Sequence, residues 1–578
     1  MTYHPPLAEM QRLAAQLGHH WLADTARYAE ATDETRAAVL DEAARLATEV
    51  IAPTNRVGDL HPARLENGIV RTSPGFAAAY RAIAEGGWIG MNAEPAHGGM
   101  GLPQSFAVMV GEMFASANLS LSLCQVLSQG QIEALEHHAA PELQARYLPM
   151  LTSGRWTGTM NLTEPQAGTD IGSLRTRAEP QGDGTYRITG EKIWISWGDH
   201  DVAENVVHLV LARLPGAPAG PGGISLFLVP KVLPNADGTL GARNGVSVVS
   251  LEHKMGIHGS PTCVMAFAGA TGWLVGEENK GLACMFTMMN NARLQVGVEG
   301  VAIAEAATQA AQDWAMTRVQ GQTTDGSTTI IGHGDVRRML MQMKAQTRVA
   351  RAIAYDCAYA LDLAKAGEAA ATRAAAARRG AFLTPIAKAY GTETGIEVAN
   401  LSVQIHGGMG YCEETGIAQY LRDVRITAIY EGTNGVQAMD LVGRKLTGDG
   451  GATASALLAE IAATVDVLRD PRHDGAHHTD ARALAAALSK AEGVTRWMLT
   501  HEARDRAAAA TPYLRMLAIT LGGHYLARAA IDGGPTEQAL AAYWCTQMLP
   551  RAHAEAQAAT AGADQLFALD AATLTATV

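Results

Sequence analysis

The sequence predicts an α+β multidomain protein in which a helical N-terminal domain, a β domain, a helical bundle and a further helical domain follow one another. In Ala-rich stretches such as Thr35–Val50, apolar residues recur at three- and four-residue spacing, which is typical of amphipathic helices. Between about Trp156 and Trp273, short runs of Val, Ile, Leu and Thr alternate with Gly-containing turns, which indicates strands. The 578 residues are enough for about three to five structural units.

Composition excludes several classes of protein. Hydrophobic residues make up 48% of the chain and charged residues 18%, so the chain can bury a large core and is not disordered. The 45 Lys and Arg against 57 Asp and Glu give a net charge of −12. Proteins that grip phosphate backbones are usually basic, so we expect no nucleic-acid partner.

The cysteines and the N-terminus indicate the compartment. Six cysteines without a CxxC pair fit neither a disulfide framework nor a zinc site, and the histidine doublets have no second His or Cys at ligand spacing, so we expect no metal. The start lacks a basic region followed by an apolar run, so no signal peptide is expected. Met113–Ile132 is rich in Ser, Asn and Gln, which favours a buried or pocket-lining helix over a membrane span. We expect a soluble cytoplasmic protein.

The domain boundaries follow from changes in pattern along the chain. The runs Asn205–Ala212 and Ile224–Val229 are typical of continuous buried strands, and the Gly/Thr-rich Thr447–Thr453 is typical of a linker. The predicted divisions are an N-terminal extension (1–35), an N-terminal helical domain (36–157), a middle β domain (158–275), a C-terminal helical domain (276–446) and a C-terminal helical extension (447–578).

Four segments contain residue types that can carry chemistry. They are Met160–Asp170 (MNLTEPQAGTD), Gly190–Gly198 (GEKIWISWG), Gln404–Tyr411 (QIHGGMGY) and Ala428–Gln437 (AIYEGTNGVQ). Each segment alone has an ordinary explanation: a turn, a core strand, a break in a helix or a solvated carboxylate. Their order within a helix–β–helix chain is the more specific signal.

In this order and spacing, the four segments resemble the acyl-CoA dehydrogenase family over about residues 40–446. The N-terminal piece and the part after 446 look like the longer bacterial subclass, which includes 3-methylmercaptopropionyl-CoA dehydrogenases. Glu252–Cys263 and Met285–Gly297 look like that subclass too. The resemblance implies FAD-dependent α,β-dehydrogenation of an acyl-CoA thioester to the trans-2-enoyl-CoA, with a short or medium acyl chain or 3-methylmercaptopropionyl-CoA as substrate.

The reaction needs a base, because the α-proton of a thioester is weakly acidic and the developing enolate must be stabilised. The resemblance makes Glu431 that base, with Gly432 keeping the loop free of a bulky side chain. A minority branch of the family places the base just before an arginine of an earlier helix. Here that arginine is Arg293 and Ala292 precedes it, so the alternative is closed.

The resemblance also assigns residues to FAD and to the substrate. Those matching the flavin contacts are Leu162 and Thr163 at the pyrimidine edge, Trp194 and Ser196 at the ring, and Thr433 from the catalytic loop. Those matching contacts to the adenosine half of the neighbouring subunit's FAD are Arg318, Gln404 and Gly408, which implies a homodimer. Those matching substrate contacts are Thr169 near the pantetheine arm, Arg293 near the CoA 3′-phosphate, and Tyr430 and Gly432 near the thioester.

Two further expectations concern the acyl pocket and the FAD site. The helix through Leu123–Gln131 and a Met-rich turn, Met285–Met289, are expected to form the acyl pocket wall, since methionines suit shaped apolar pockets. After Arg318, where the family usually has an aromatic residue followed by Gly, this sequence has Gln320-Gly321 and then a polar loop.

Three alternatives remain open at the level of sequence. An acyl-CoA oxidase uses the same base and flavin but passes electrons to O₂, whereas a dehydrogenase is expected to use an electron-transfer flavoprotein. A flavoprotein of this fold without dehydrogenase activity would have a degenerate base. Membrane association through the extension is disfavoured, because no basic amphipathic stretch occurs there.

Overall fold

The computed structural model describes residues 3–235, 237–472 and 475–576. The chain forms two compact units. The first unit comprises the residues up to Leu7 together with Glu30–Gln295, and the second comprises Ala8–Ala29 together with the residues from Val296 onward.

Helices dominate the chain before the sheet. Thr32 begins the second of them by accepting a hydrogen bond from the Thr35 N–H at 3.1 Å, with acidic residues in the first turn, as a stable N-terminus requires. A short hairpin interrupts the helices. Their bounds are α1 Leu7–Gln16, α2 Asp33–Leu46, α3 Asn55–Leu60, β1 Arg64–Glu66, β2 Ile69–Arg71, α4 Phe76–Glu85, α5 Gln104–Ala117, α6 Leu119–His138 and α7 Pro141–Thr152.

The single helix expected over Met113–Ile132 is two helices, which corrects that prediction. Asn118 ends α5 in an extended conformation, and its side chain accepts a hydrogen bond from the Leu121 N–H at 3.1 Å to begin α6. An asparagine competes with helical hydrogen bonding in this way, so it divides an otherwise continuous apolar pattern. The expected burial of the segment is confirmed, since all its residues are buried.

A seven-stranded sheet forms the centre of the first unit, in the order β3-β6-β7-β11-β5-β4 with β10 on β11. β3 and β6 are parallel and the other pairs are antiparallel. Its seven strands are β3 Trp156–Asn161, β4 Arg177–Pro180, β5 Tyr186–Ser196, β6 Asn205–Ala212, β7 Ser225–Pro230, β10 Val246–Leu251 and β11 Thr262–Val275. A separate antiparallel pair is formed by β8 Val232–Pro234 and β9 Leu240–Arg243. β6 and β7 are buried throughout, which explains why apolar residues predominate in both strands.

Long helices build the second unit. Their bounds are α8 Gly281–Thr317, α9 Gly334–Ala366, α10 Ala370–His406, α11 Gly408–Tyr411, α12 Ile417–Val424, α13 Asn434–Asp440, α14 Leu446–Gly448, α15 Ala452–Leu468, α16 Gly475–Thr500, α17 Ala503–Ile531, α18 Pro535–Tyr543, α19 Leu549–Ala559 and α20 Ala571–Thr575. The residues of α8 up to Gln295 belong to the first unit. Helix α1 packs in this unit, where the Gln16 side chain donates to the Tyr525 carbonyl at 2.8 Å.

Met285–Met289, expected as a turn, lies inside α8, so that prediction is wrong. The methionines extend a helical apolar face, and only the glycine at 281 marks the helix start. In the first unit Met288 packs against Gly130 of α6: a Cβ built on Gly130 would come within 3.0 Å of the Met288 Cγ. The predicted α+β class, with helical, β and helical portions and an added helical region, is confirmed.

Candidate active site

The segment after β3 is held against β5 through its backbone. The Ile193 N–H donates to the Thr163 carbonyl at 3.0 Å, and the Lys192 ammonium donates to the Leu162 carbonyl at 3.0 Å. Leu162 and Thr163 themselves are half-buried. The structure thus brings together two of the four segments singled out in the sequence.

A buried ion pair supports this segment. Lys192 is 0% exposed and Glu164 3% exposed, and their Nζ and Oε1 atoms are 2.8 Å apart. The Glu164 carboxylate also accepts hydrogen bonds from the Thr176 hydroxyl and N–H at 2.6 and 3.0 Å, from the Arg175 N–H at 2.6 Å and from the Gln166 side chain at 2.6 Å. With this many donors, the carboxylate meets the condition under which a buried charge is tolerated.

The pKa values of the pair show which influence dominates at each member. Burial alone raises the pKa of Glu164, but Lys192, Thr176 and the Arg175 N–H outweigh it and lower this pKa to about 2. Burial lowers the pKa of Lys192 to about 8 against the opposing attraction of Glu164. Both groups are therefore charged at neutral pH.

Trp194 differs from its neighbour Trp197. Both residues have positive φ, +63° for Trp194 and +52° for Trp197, but they differ in exposure. Trp197 is buried and its indole N–H donates to the Ser120 carbonyl at 3.1 Å, whereas Trp194 is 55% exposed at the end of β5. A tryptophan rarely adopts positive φ, and such outliers often mark functional sites. Ser196, two residues on, is half-buried and pairs with Thr262 across the sheet. An exposed indole near a hydroxyl can contact a planar ring system.

The two substrate residues predicted in the first unit occupy different environments. Thr169 is exposed in the loop after β3. Arg293 is only 5% exposed on α8, where its guanidinium donates to the Asn290 side chain at 3.3 Å and lies 5.6 Å from the centre of the Phe286 ring. These contacts keep the guanidinium in a fixed orientation.

Glu431 lies in a loop of unusual backbone conformation in the second unit. Its φ is +55° and that of Gly432 is +80°, so two consecutive residues adopt the left-handed region. Glycine adopts this region without cost, but a glutamate does so only when its surroundings impose it. The buried Gln437 side chain contributes, because it donates to the carbonyls of Glu431 and Gly432 at 3.3 and 3.2 Å. The carboxylate of Glu431 is half-buried.

The residues after Gly432 anchor the loop to α10. The Thr433 hydroxyl accepts from the Val436 N–H at 3.3 Å and so begins α13. The Asn434 side chain accepts from the Lys388 ammonium at 2.9 Å and donates to the Thr392 hydroxyl at 3.1 Å. Lys388 is fully buried. The loop is therefore fixed on its C-terminal side by polar contacts.

On its N-terminal side the loop is held by Glu299 of α8. The Tyr430 hydroxyl donates to the Glu299 Oε2 atom, and Glu299 is 1% exposed. Burial raises the pKa of Glu299 to about 8; the Tyr430 hydrogen bond and Lys388 oppose this rise, and the charge of Glu431 adds to it. Burial and the neighbouring Glu299 also raise the pKa of Tyr430 well above its usual value.

The three residues predicted for the adenosine half of FAD lie close together in the second unit. The Arg318 guanidinium is exposed, 5.9 Å from the centre of the Trp314 ring, and Trp314 stacks on His406 with ring centres 5.2 Å apart. Gln404 and Gly408 flank His406 at the end of α10 and are both exposed. An accessible guanidinium beside stacked aromatic rings is chemically suited to a pyrophosphate and an adenine.

These observations fit FAD. The exposed Trp194, the Ser196 hydroxyl and the immobilised Leu162–Thr163 backbone could offer a face and polar groups to an isoalloxazine ring, and the exposed Arg318 guanidinium could offer a cation to phosphates. Among the described residues, His, Cys, Asp and Glu form no group of three that could hold a metal ion.

Within the described part of the chain, no single helix has both the length and the apolar character to cross a membrane. The bent pair 434–448 and 452–468, with an angle of 96° between its members, meets these criteria when the two helices are taken together.

Sequence reasoning missed the residues that hold the two regions in place. They are Lys192 and Gln166 in the first unit and Glu299, Lys388 and Gln437 in the second. The available signal was a charged residue inside an apolar run, as with Glu299 in QVGVEGVAIA. That signal identifies a buried charge but not its partner, which is distant in sequence.

Comparison with protein families gives four consecutive matches. They are the acyl-CoA dehydrogenase N-terminal domain over residues 32–155, the middle domain over 159–270, the C-terminal domain over 279–446, and an acetyl-CoA dehydrogenase C-terminal-like domain over 457–570. The fourth match falls in the extension.

Individual proteins agree with these matches. The chain is 48% identical over 469 residues to the 3-methylmercaptopropionyl-CoA dehydrogenase of Ruegeria pomeroyi, covering 80% of each chain. The structure of Caenorhabditis elegans ACDH-11 in complex with C11-CoA is similar in fold, with a TM-score of 0.80 at 22% identity, over 95% of this chain and 92% of that one. The FAD complex of an acyl-CoA dehydrogenase from Bacillus anthracis has a TM-score of 0.71 at 22% identity, over 84% and 83%.

Proposed function

Because the chain belongs to the acyl-CoA dehydrogenase family and is therefore an FAD-dependent oxidoreductase of acyl-CoA thioesters, we propose that Glu431 is its base and that its substrate is 3-methylmercaptopropionyl-CoA or another short or medium acyl-CoA. The substrate proposal rests on the 48% identity to the Ruegeria pomeroyi enzyme over four-fifths of both chains. The product would be the trans-2-enoyl-CoA, which for that substrate is methylthioacryloyl-CoA.

The geometry of the loop supports Glu431 as the base. Its carboxylate takes the α-proton, so the Cα–H bond breaks and an O–H bond forms on Glu431. The two left-handed residues, held by Gln437, keep the carboxylate in one position, as general-base catalysis requires. FAD, when bound, would supply the acceptor for the hydride that leaves the β-carbon. Ala292 has no group that could act as the alternative base.

The cofactor residues follow from the two clusters. Leu162 and Thr163 would bind the flavin pyrimidine edge through the backbone that Lys192 immobilises. Trp194, Ser196 and Thr433 would contact the ring system. Arg318, Gln404 and Gly408 would bind the adenosine half of the FAD of a second copy, so the active protein would be a homodimer.

The substrate residues are Thr169, Arg293, Tyr430 and Gly432. The Gly432 position leaves space beside the thioester, and the backbone N–H of Glu431 would stabilise the enolate oxygen together with a ribityl hydroxyl. Arg293 would pair with the CoA 3′-phosphate, which requires the guanidinium to gain access from its nearly buried position. Electrons would leave through an electron-transfer flavoprotein.

The test uses the purified full-length protein with its bound FAD. Anaerobic mixing with propionyl-, butyryl-, octanoyl-, palmitoyl- and 3-methylmercaptopropionyl-CoA should bleach the flavin band fastest with one of the short or medium substrates, and light scattering should give at least a dimer. A strong preference for palmitoyl-CoA would contradict the substrate proposal. Reoxidation by O₂ at the turnover rate, with formation of H₂O₂, would replace the dehydrogenase by an oxidase.

A further inference from the structure

Glu299 lies where two helices of the second unit touch through their backbones. A Cβ built on Gly300 would come within 2.2 Å of the Gly391 carbonyl oxygen, and one built on Gly391 would come within 2.4 Å of the Gly297 carbonyl oxygen. With glycines on either side of Glu299, α8 and α10 pack more closely than side chains would permit. The position of the Glu299 backbone is therefore fixed relative to α10.

The carboxyl group of Glu299 connects this rigid contact to the catalytic loop. Its Oε2 atom accepts the hydrogen bond of the Tyr430 hydroxyl, and its Oε1 atom has no hydrogen-bond partner within the described residues. The residue after Tyr430 is Glu431. A buried carboxyl with one oxygen unsatisfied is poorly suited to carry a permanent charge.

We propose that Glu299 is a positioning residue for Glu431: its buried carboxyl holds the Tyr430 hydroxyl and hence the loop that carries Glu431, and a negative charge on this carboxyl would act on the base. The inference rests on the proposed function, because it takes Glu431 as the acceptor of the α-proton. Glu299 itself receives no proton from the substrate in this scheme.

The groups around Glu299 favour ionisation of its carboxyl at a pH above neutral. The titratable and charged groups that act on it are Tyr430 and Glu431 of the loop and Lys388 of α10. Together with burial they give Glu299 a pKa of about 8. At pH 7, one unit lower, about nine in ten molecules would hold it neutral.

The direction of the effect follows from the movement of charge during the reaction. When the α-proton transfers, negative charge leaves Glu431 and develops on the substrate. A fixed negative charge close to Glu431 favours that displacement, since like charges in a protein of low effective dielectric constant repel strongly. Ionisation of Glu299 should therefore accelerate proton abstraction.

The test measures flavin reduction by a saturating acyl-CoA, in rapid mixing, from about pH 6 to pH 10. Glu299→Gln keeps the volume and stays neutral, so its rate at pH 7 should be within about threefold of the wild-type rate, because the wild-type carboxyl is mostly neutral there. Above pH 8 the wild-type rate should rise several-fold and the variant should stay flat. A variant that lowers the rate by one factor at every pH, or a wild type without the rise, would overturn the proposal.

Glu305→Gln is the matched control. Glu305 lies on the same helix and is also mostly buried, but it pairs with Arg351 at 2.7 Å, and Arg351 pairs with Glu9 at 2.6 Å as well. Its removal should leave the shape of the pH profile unchanged. If the Glu305 variant also lost the alkaline rise, the rise would not report on Glu299.

A second readout does not depend on turnover. The infrared C=O band of a protonated carboxyl in the full-length protein should disappear as pH rises through about 8 and should be absent from Glu299→Gln. Tyr430→Phe should move this titration to higher pH, because the Tyr430 hydrogen bond stabilises the charged form. Absence of any such band in the wild type at pH 7 would refute a neutral Glu299.

The two proposals fail differently. If no acyl-CoA reduces the flavin, or if Glu431→Gln is reduced normally, the proposed function is wrong and this inference falls with it. If the wild type is active and the Glu431 variant is not, while the Glu299 variant follows the wild-type pH profile, only the inference is wrong.

Discussion

Two buried glutamates, one in each unit, differ in charge at neutral pH: Glu164 is ionised and Glu299 is mostly neutral. Glu164 is 3% exposed and Glu299 is 1% exposed, yet the pKa of the first is lowered to about 2 and that of the second is raised to about 8. Glu164 accepts hydrogen bonds from Lys192 and three neighbouring residues, whereas one oxygen of Glu299 is bonded to Tyr430 and the other has no partner among the described residues. The number and charge of the donors, rather than burial, determines whether a buried carboxyl is ionised.

The difference separates two ways of building a site. Around Glu164 a saturated, permanently charged network holds backbone atoms in place, and nothing in it needs to change during a reaction. Around Glu299 the polar groups are fewer, so a change of charge at Glu431 shifts the pKa of Glu299. The first arrangement suits the binding of a cofactor and the second suits the transfer of a proton.

The largest effect is expected at Glu431, in the region around Glu299. Glu431→Gln keeps the volume and a hydrogen-bonding group but removes the basic lone pair, so flavin reduction should fall by at least about 10²–10⁴-fold. FAD content and acyl-CoA binding should persist, because neither depends on this carboxylate. The measurement is the rate at which the flavin band bleaches after rapid mixing with acyl-CoA.

Glu414→Gln is a control for the loss of a carboxylate in the same unit, since Glu414 is exposed in the loop before α12. It should bleach at the wild-type rate. Near-normal bleaching by the Glu431 variant would overturn its assignment as the base, and no carboxylate at position 292 could replace it.

The sequence permitted prediction of the fold and a hypothesis for the base, but not of the groups that support them. Glu431 could be proposed because the motif that carries the family resemblance is short and contiguous, and the sheet was predictable because β6 and β7 are mostly apolar. The partners of Glu164 and Glu299 were not, since Lys192 and Tyr430 lie 28 and 131 residues away along the chain. The break at Asn118 was not predictable because a single capping residue changes little in a long buried segment.

The second prediction concerns the loss of the negative charge of Glu164. Glu164→Gln leaves the Lys192 ammonium buried without a carboxylate, which should lower the free energy of unfolding by about 3–5 kcal/mol. Because Lys192 also holds the Leu162 carbonyl, the variant should retain less FAD. Chemical denaturation and the ratio of flavin to protein absorbance measure the two effects.

Glu179→Gln is the matched control. Glu179 pairs with Arg187 of β5 at 2.6 Å, but both side chains are about half exposed, so its loss should cost no more than about 1 kcal/mol. Equal destabilisation by the two variants would show that the buried hydrogen bonds and ion pair of Glu164 stabilise the fold no more than an exposed ion pair does. Glu164 would then not differ from Glu299 in the way described above.

The third prediction concerns the backbone that carries Glu431. Gly432 has φ of +80°, so Gly432→Ala should cost about 1–2 kcal/mol in a conformation that disfavours a Cβ. The carboxylate of Glu431, the proposed base, would move with the loop, so kcat should fall by about tenfold. Gly435→Ala is the control, because Gly435 is exposed in α13 and a Cβ there would meet only the Thr433 hydroxyl at 3.8 Å. An equally active Gly432 variant would show that loop strain does not position the base.

The smallest expected effect is the contribution of Glu164 to acid sensitivity. The folded-state pKa of Glu164, about 2, lies below the unfolded value of 4.5. Its contribution to the free energy of unfolding is therefore present above pH 4.5 and is lost as pH falls toward 2. Between pH 4.5 and pH 3.5 the loss should be at most about 1 kcal/mol, since one proton is worth about 1.4 kcal/mol for each pH unit. Glu299 cannot produce this slope, because its raised pKa has the opposite sign and acts between pH 4.5 and about 8. Denaturation midpoints of the wild type and Glu164→Gln, measured across the acid window, should therefore converge as pH decreases. A constant difference between them would mean that Glu164 is not ionised in the folded protein, and the two buried glutamates would then be alike.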